Sequence, residues 1–420
     1  LISLWNPCFQ RMMKAMNLEK LQFREMRDEE DVAGYLEVHN THWKPVSMEF
    51  WREWTKTEEV TMALALMDGK VVGGIPFHIR DFRVRPDAVI KAAFEFSVIV
   101  REDLRDRGIG SRMMDTAKNF LKGRVDVMMV YRGGELTPGY NFYFKNEHYD
   151  VSYLRPRILK KPYAKTEHRV KMAEIDELFN REEEALKVFK SAFDEFGGYP
   201  ERVTGYWRRA LNSMNIQEIP QDFTFFYIED DDSLVGYAIV SKLRSEPLVS
   251  ILEWATLNGD KNLASQLITG ISRFAAQNKC AVRIFSQDFS LYDDVLKKSG
   301  FIGIPRSESS MMIMAHLVDP ESLAKKVWRE NENLRDVKVT AWSPRRQVVI
   351  HQAESGAPRK EIALEMKDDI LTRLLLSRID ILSAVKQELI TVVKGKMNDI
   401  QELALSLPYT PWEYHEIDYI

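Results

Sequence analysis

The chain has 420 residues, 45% hydrophobic and 29% charged, which is an ordinary globular composition with room for two to four domains at about 100–200 residues each. Lys and Arg total 59 against 63 Asp and Glu, so there is no cationic field to suggest a nucleic-acid partner. The two cysteines, Cys8 and Cys280, supply neither a disulfide framework nor a thiolate metal cluster. No stretch approaches the roughly eighteen consecutive apolar residues of a membrane span, and a reducing cytoplasm is the simplest setting.

Periodic sequence begins near Met16-Asn17-Leu18, and residues 1–15 read as a non-native or disordered extension. Residues 20–24 read as a strand, and the acidic start of 28–39 as a helix. Residues 61–79 predict two strands around Asp68-Gly69, a dipeptide favoured in tight hairpins. A break falls near Pro86, and an apolar strand is expected from Ala92 to Val100. The charged stretch after it leads into a helix whose Met113, Met114, Ala117, Phe120 and Leu121 share a face, with Gly123 as its stop. A strand over 125–131, the run 133–139, a short helix over 141–149 and a basic connector over 155–165 follow.

From residue 161 the pattern restarts. It predicts a helix over 173–191, two strands around an acidic turn over 223–240, a strand over 249–257 and a helix over 263–277. A strand over 281–286, a short helix and turn over 291–301 and a last strand over 311–317 complete it. The order matches that of residues 20–160 and reads as an internal duplication. From 319 the character changes: VKVTAW (337–342) and QVVIHQA (347–353) alternate like antiparallel strands, ahead of a leucine-rich run that includes Leu371, Leu374, Leu375 and Leu376. That run reads as helical core before it reads as the wall of a lipid cavity.

Chemistry concentrates at Arg105-Asp106-Arg107-Gly108-Ile109-Gly110. A helix start leaves amides unpaired at the positive end of the dipole, where a phosphate fits. Gly108 and Gly110 let that backbone approach oxygen closely, and Arg105, Arg107 and Arg112 can add charge-assisted bonds. No Lys-Ser/Thr follows the glycines, which disfavours a nucleoside-triphosphate loop, and the third glycine of the dinucleotide fingerprint is missing. Glu95, on the apolar strand, is a candidate base if buried and a bystander if it faces solvent. His39 and His42 lack further ligands nearby, so no metal is expected. Trp43, Trp51 and Trp54 could line an acceptor pocket but read first as packing.

SVIVREDLRDRGIGSRMM (97–114) and Phe142-Tyr143-Phe144-Lys145-Asn146 resemble the acetyl-CoA pyrophosphate loop and the downstream Phe-Tyr-x-Lys-x-Gly-Phe segment of GNAT-superfamily N-acetyltransferases, with Glu147 and His148 in place of Gly-Phe. The resemblance implies coenzyme contacts at Val98, Ile99, Val100, Arg105, Arg107, Gly108, Ile109, Gly110, Ser111 and Arg112, an oxyanion donor near Ile99 and Val100, and Tyr143 as the acid for the leaving thiolate. The substrates implied are acetyl-CoA and a primary amine, joined by direct attack in a ternary complex. The alternative, from another class, is a non-catalytic protein that binds an acyl-CoA or an apolar ligand.

The second repeat has Leu257-Asn258-Gly259-Asp260 where the loop would stand, while Lys297-Lys298-Ser299-Gly300-Phe301 keeps the later motif. It resembles a GNAT unit without a working coenzyme site. Residues 361–378 and 390–408 resemble a sterol-carrier-protein-like domain. In whole-chain order the sequence is similar to the Eis (enhanced intracellular survival) type of acetyltransferase. That resemblance implies an α+β to α/β architecture: a catalytic GNAT domain over 16–160, a degenerate one over 161–318 and a sterol-carrier-like domain over 319–420, in a homo-oligomer. It also implies that the terminal carboxylate of Ile420, after the aromatic run 412–419, helps with proton transfer.

Overall fold

The computed structural model describes residues 20–56, 59–133, 138–164, 169–217, 221–287, 289–304, 311–356 and 358–418. The expected extension at 1–15 and Ile420 lie outside these residues. The fold is mixed α/β, with sheets flanked by helices. The chain divides into two compact units. One takes residues through Ile79 together with Ala93–Arg124; the other takes Arg80–Ala92 and everything from Val125.

The first unit contains β1 (Leu21–Glu25), α1 (Glu29–His39), α2 (Met48–Thr55), β2 (Glu59–Met67), most of β3 (Lys70–Arg85), the end of β4 (Ala88–Glu95), β5 (Ile99–Val100) and α3 (Ile109–Leu121). Asp28 caps α1, accepting from the amides of Glu30 and Asp31. β1, β2 and β3 form an antiparallel meander, with Asp68 (φ 50°) and Gly69 (φ 80°) making the expected tight turn. α3 buries Ile109, Met113, Met114, Ala117 and Leu121, the face anticipated except that Phe120 is half-buried. Removal of such apolar side chains from water stabilises the unit by about 1.5–3 kcal/mol each.

The strand expected over 92–100 is in fact broken. β4 stops at Glu95, Ser97 takes a left-handed φ of 44°, and β5 resumes at Ile99. The causes lie in the partner strand. Pro76 has no amide to extend the ladder, so the nearest bond on that side is from Phe96 N to Pro76 O at 3.2 Å. Gly73 and Gly74 then face Val100 and Ile99, and a Cβ on Gly73 would stand 2.9 Å from the Ile99 carbonyl oxygen. Tyr35 Oη donates to Ser97 O at 2.8 Å and pins the bulge from the α1 side.

The second unit continues with β6 (Val127–Gly133), α4 (Pro138–Lys145), β7 (Tyr149–Leu159), β8 (Lys171–Glu174), α5 (Asp176–Asn180), α6 (Glu182–Phe193), β9 (Tyr199–Pro200) and α7 (Tyr206–Gln217). Next come β10 (Gln221–Asp230), β11 (Ser233–Leu243), β12 (Leu248–Thr256), α8 (Lys261–Gln277), β13 (Ala281–Ser286), α9 (Asp293–Lys298), β14 (Ile302–Gly303) and β15 (Met311–Leu317). Its large sheet runs β6-β15-β7-β13-β12-β11-β10-β8. β12 and β13 are parallel, with α8 as the crossover, and the other neighbours are antiparallel. Three features depart from the sequence reading. The helix expected over 173–191 is the strand β8 followed by two helices, α5 and α6, parted at Arg181. The basic stretch taken as a connector is strand as far as Leu159, and β15 inserts between β6 and β7.

After α10 (Pro320–Val327), a separate four-stranded sheet runs β17 (Gln347–His351), β16 (Val337–Trp342), β18 (Lys360–Met366), β19 (Ile390–Lys394). The leucine-rich run is two helices, α11 (Asp368–Leu375) and α12 (Ile381–Lys386), parted at Ser377 with φ 57°. Leu371, Leu374, Leu375 and Leu376 are buried, as a packed core requires. α13 (Met397–Ser406) precedes a buried tail. No helix among the described residues is long and apolar enough to cross a membrane.

Candidate active site

The loop between β5 and α3 is built by its own sequence. Asp106 (φ 59°) and Gly108 (φ 76°) both take the left-handed conformation, which turns the chain sharply before the helix. Gly108 is the N-cap of α3. No side chain caps the helix, and its first turn holds no acidic residue. The amides of Ile109, Gly110 and Ser111 therefore meet at an end with partial positive charge. A Cβ on Gly108 would meet nothing within 4 Å, so there is open space beside the N-cap.

The arginines are partly committed to the loop. Arg105 Nε donates to Val100 O at 3.0 Å, and an Arg107 Nη donates to Asp103 O at 3.0 Å. Arg101 grips Asp103 through two bonds, at 2.7 and 3.1 Å, and holds that carboxylate below its usual range. Arg105 and Arg112 are exposed, and each has guanidinium N–H groups to spare for an anion, although Arg112 also lies 4.3 Å over the Phe23 ring. Ile99 and Val100 form β5, the resumed part of the split strand, and Val98 lies in the break before it.

Glu95 is 3% exposed and does not face solvent. Beside it in sequence, Phe96 packs in an aromatic group with Trp51, Trp54 and His78, at ring distances of 6.1, 5.1 and 4.3 Å. Trp51 and Trp54 are thus core, while Trp43 is exposed, its ring tilted against His39 at 5.0 Å. His78 is fully buried on β3. Its place between Phe77 and Ile79, in the apolar part of that strand, is the one sequence signal for it.

In the second unit Tyr143 lies on α4, half-buried, with the Arg132 guanidinium 5.4 Å from its ring and His148 edge-on at 5.5 Å. The departure from Gly-Phe at 147–148 leaves the turn intact. Glu147 takes φ 69°, the conformation a glycine would supply, and His148 is fully buried at the phenylalanine position. His148 N closes the turn on Tyr143 O at 3.0 Å. The corresponding residues of the later motif, Gly300 (φ 88°) and buried Phe301, show the same arrangement with the expected amino acids.

Residues 18–143 match the model of the acetyltransferase (GNAT) family. They form a GNAT acetyltransferase domain. The chain is therefore an acyltransferase. No curated protein is significantly similar to it in sequence. Among solved structures, a GCN5-related N-acetyltransferase from Anabaena variabilis superposes with a TM-score of 0.67 at 13% identity, covering 94% of this chain and 100% of that one. A probable N-acyltransferase from Enterococcus faecalis reaches 0.69 at 14% identity, covering 95% and 99%. Eis1 from Mycobacterium abscessus reaches 0.58 at 10%, covering 93% and 98%. At these identities the likeness is one of fold.

Beyond the GNAT domain, α8 has a contrasting helix start. Asp260 caps α8, and its Oδ1 accepts from Asn262 N at 2.7 Å and Leu263 N at 3.2 Å. A carboxylate occupies the amides that the α3 start leaves open.

The tail buries its aromatic residues and its polar residues alike. Trp412 Nε1 donates to Val84 O at 2.9 Å, and Tyr414 stacks on Tyr131 at 4.2 Å. Asp418 accepts from Arg202 at 2.7 Å and from Tyr206 Oη at 2.5 Å, and Arg202 also binds Glu253 at 2.6 Å. Burial pushes Asp418 up to about 6 against the pull of Arg202. In Glu253 burial is outweighed by Arg202, and the carboxyl stays low. Glu413 accepts from Ser290 Oγ at 2.9 Å and Leu291 N at 3.0 Å, yet burial raises it to about 7. None of these acids was singled out from sequence. Among the described residues no group of three or more His, Cys, Asp or Glu could hold a metal.

Proposed function

We propose that the enzyme transfers an acetyl group from acetyl-CoA to a primary amine by direct attack in a ternary complex. One observation carries this reading: the uncapped α3 start, with open space beside its N-cap and flanked by arginines, inside a domain that matches the GNAT family. The pyrophosphate of the coenzyme would accept from the amides of Ile109, Gly110 and Ser111 and from the outer N–H groups of Arg105 and Arg112, with Val98, Ile99, Arg107 and Gly108 shaping the approach.

The amine must lose a proton to attack the thioester carbonyl. In the split strand β5 the backbone near Ile99 and Val100 offers an amide to the tetrahedral oxyanion. Collapse expels the thiolate, which takes the Tyr143 phenol proton; the ordinary phenol pKa of about 10 suits that exchange. Buried Glu95 and the terminal carboxylate of Ile420 are the proposed bases, acting on the amine directly or through water. The second repeat acts as a non-binding GNAT partner, a reading supported by the Asp260 cap. The domain from 319 is proposed to be sterol-carrier-like, the assembly a homo-oligomer and the compartment a reducing cytoplasm.

The test is release of free coenzyme thiol on mixing the enzyme with acetyl-CoA and a panel of aminoglycosides, lysine peptides and small polyamines. Turnover with one class supports the reading. Binding without turnover on the whole panel supports the binding-protein alternative.

A further inference from the structure

A cavity of about 560 Å³ opens beside β7 within the second unit. That volume is in the range of small-molecule sites. Its polar wall among the described residues includes Asp150, Ser152, Arg155, Gln287, Arg373 and Arg378. Arg373 Nε donates to Asp150 O at 2.9 Å; Arg378 donates to Val151 O at 3.2 Å and to Thr410 O at 2.6 Å. These bonds to backbone carbonyls fix both guanidinium groups without neutralising them. Asp150 itself accepts from Tyr140 Oη at 3.2 Å.

Two buried polar atoms on the same wall have no hydrogen-bond partner among the described residues. Ser152, 7% exposed, has an unpartnered Oγ. Gln287, 3% exposed, donates to Tyr414 O through Nε2 and has an unpartnered Oε1. A buried acceptor without a donor is costly, and a ligand that brings hydroxyl donors removes that cost. At the mouth stand two aromatic residues, Phe289 at 81% exposure and Tyr409 at 44%. Phe289 is held at φ 66°, a conformation that bulky residues avoid and that gathers at ligand sites.

We propose that this cavity is a binding site for a nucleotide-like phosphate monoester, separate from the acetyl-transfer site. Fixed, unneutralised arginines suit a phosphate dianion. The Gln287 oxygen and Ser152 hydroxyl suit sugar hydroxyls, and the exposed rings suit a flat base. The cavity wall also connects to the catalytic element: the Asp150–Tyr140 bond reaches α4, one turn before Tyr143.

The experiment is calorimetric titration of AMP, ribose 5-phosphate, adenosine and inorganic phosphate into the full chain and three variants. AMP is expected to bind, with adenosine at least about tenfold weaker for lack of the charged group. Arg373→Met is expected to weaken AMP about tenfold, and Ser152→Ala, which removes a hydroxyl the protein does not use, about threefold. Gly108→Asp, in the other site, is expected to leave AMP binding unchanged. The proposal is overturned if AMP does not bind, or if its binding falls in Gly108→Asp while Ser152→Ala and Arg373→Met keep wild-type affinity. Ser152→Ala keeps the test decisive should Arg373→Met fail to fold.

Discussion

Gly108 and Asp260 occupy the same N-cap position at the start of two long helices, and they treat the amides there in opposite ways. Gly108, at φ 76°, has no side chain to offer and leaves the amides open. Asp260 turns its carboxylate onto two of them. One sequence thus holds a receptive helix start and one already satisfied by its own anion, which is the physical basis for proposing that the coenzyme binds at α3.

Tyr143→Phe removes the proposed acid and leaves the packing around Arg132 and His148 in place. Turnover is expected to fall by about 10²–10⁴, the usual worth of a positioned proton donor. Acetyl-CoA affinity is expected to be unchanged. Steady-state kinetics and a binding titration together check it; unchanged kcat would remove Tyr143 from the mechanism.

Gly73→Ala tests the split strand. The new Cβ would meet Ile99 O at 2.9 Å and the Met113 methyl at 3.3 Å, so β5 must shift away. A drop in kcat/KM of about tenfold or more is expected from a displacement of under 1 Å. Circular dichroism should show the fold retained.

Glu413→Gln tests the buried tail. The folded carboxyl is raised to about 7 from an unfolded value near 4.5. A raised carboxyl contributes stability below its unfolded pKa, and the contribution is lost as pH climbs through about 7. The glutamine variant should therefore gain on the wild type between pH 5 and 8, by about 2–3 kcal/mol at the upper end. His415, lowered by burial to about 4, works in the opposite direction and is common to both proteins, so the difference isolates Glu413. Parallel melting curves at five pH values decide it; a constant difference would contradict the assignment.

Arg202→Met leaves Glu253 and Asp418 buried without their shared cation. Loss of one partner from such a cluster costs about 3–5 kcal/mol. Urea unfolding should show a fall of that size, together with freer proteolysis of the tail after Leu407.

Much of this architecture was legible in the residues. The hairpin at Asp68-Gly69, the α3 face and the loop at 105–110 each carry a local signal: a turn dipeptide, a helical period, paired glycines among arginines. What escaped depends on contacts distant in sequence. The break after Glu95 is imposed by Gly73, Gly74 and Pro76 in the neighbouring strand, and residues 92–100 taken alone read as continuous. The insertion of β15 between β6 and β7 leaves no mark on either strand. The stretch 155–159 reads as a connector because its two arginines and proline do not look like a strand buried on both faces, as Pro156, Arg157 and Leu159 are. The acids of the tail were read past because buried charge shows only beside its partner, and Arg202 lies far upstream of Asp418.

The most direct measurement is the affinity of acetyl-CoA for the wild-type chain and for Gly108→Asp, which places at the α3 start the residue that caps α8. Saturable binding by the wild type, weakened at least about tenfold in the variant by loss of charge-assisted amide bonds, is the predicted result. Equal affinity in the two proteins, or no binding by either, would contradict a phosphate cradle at that helix.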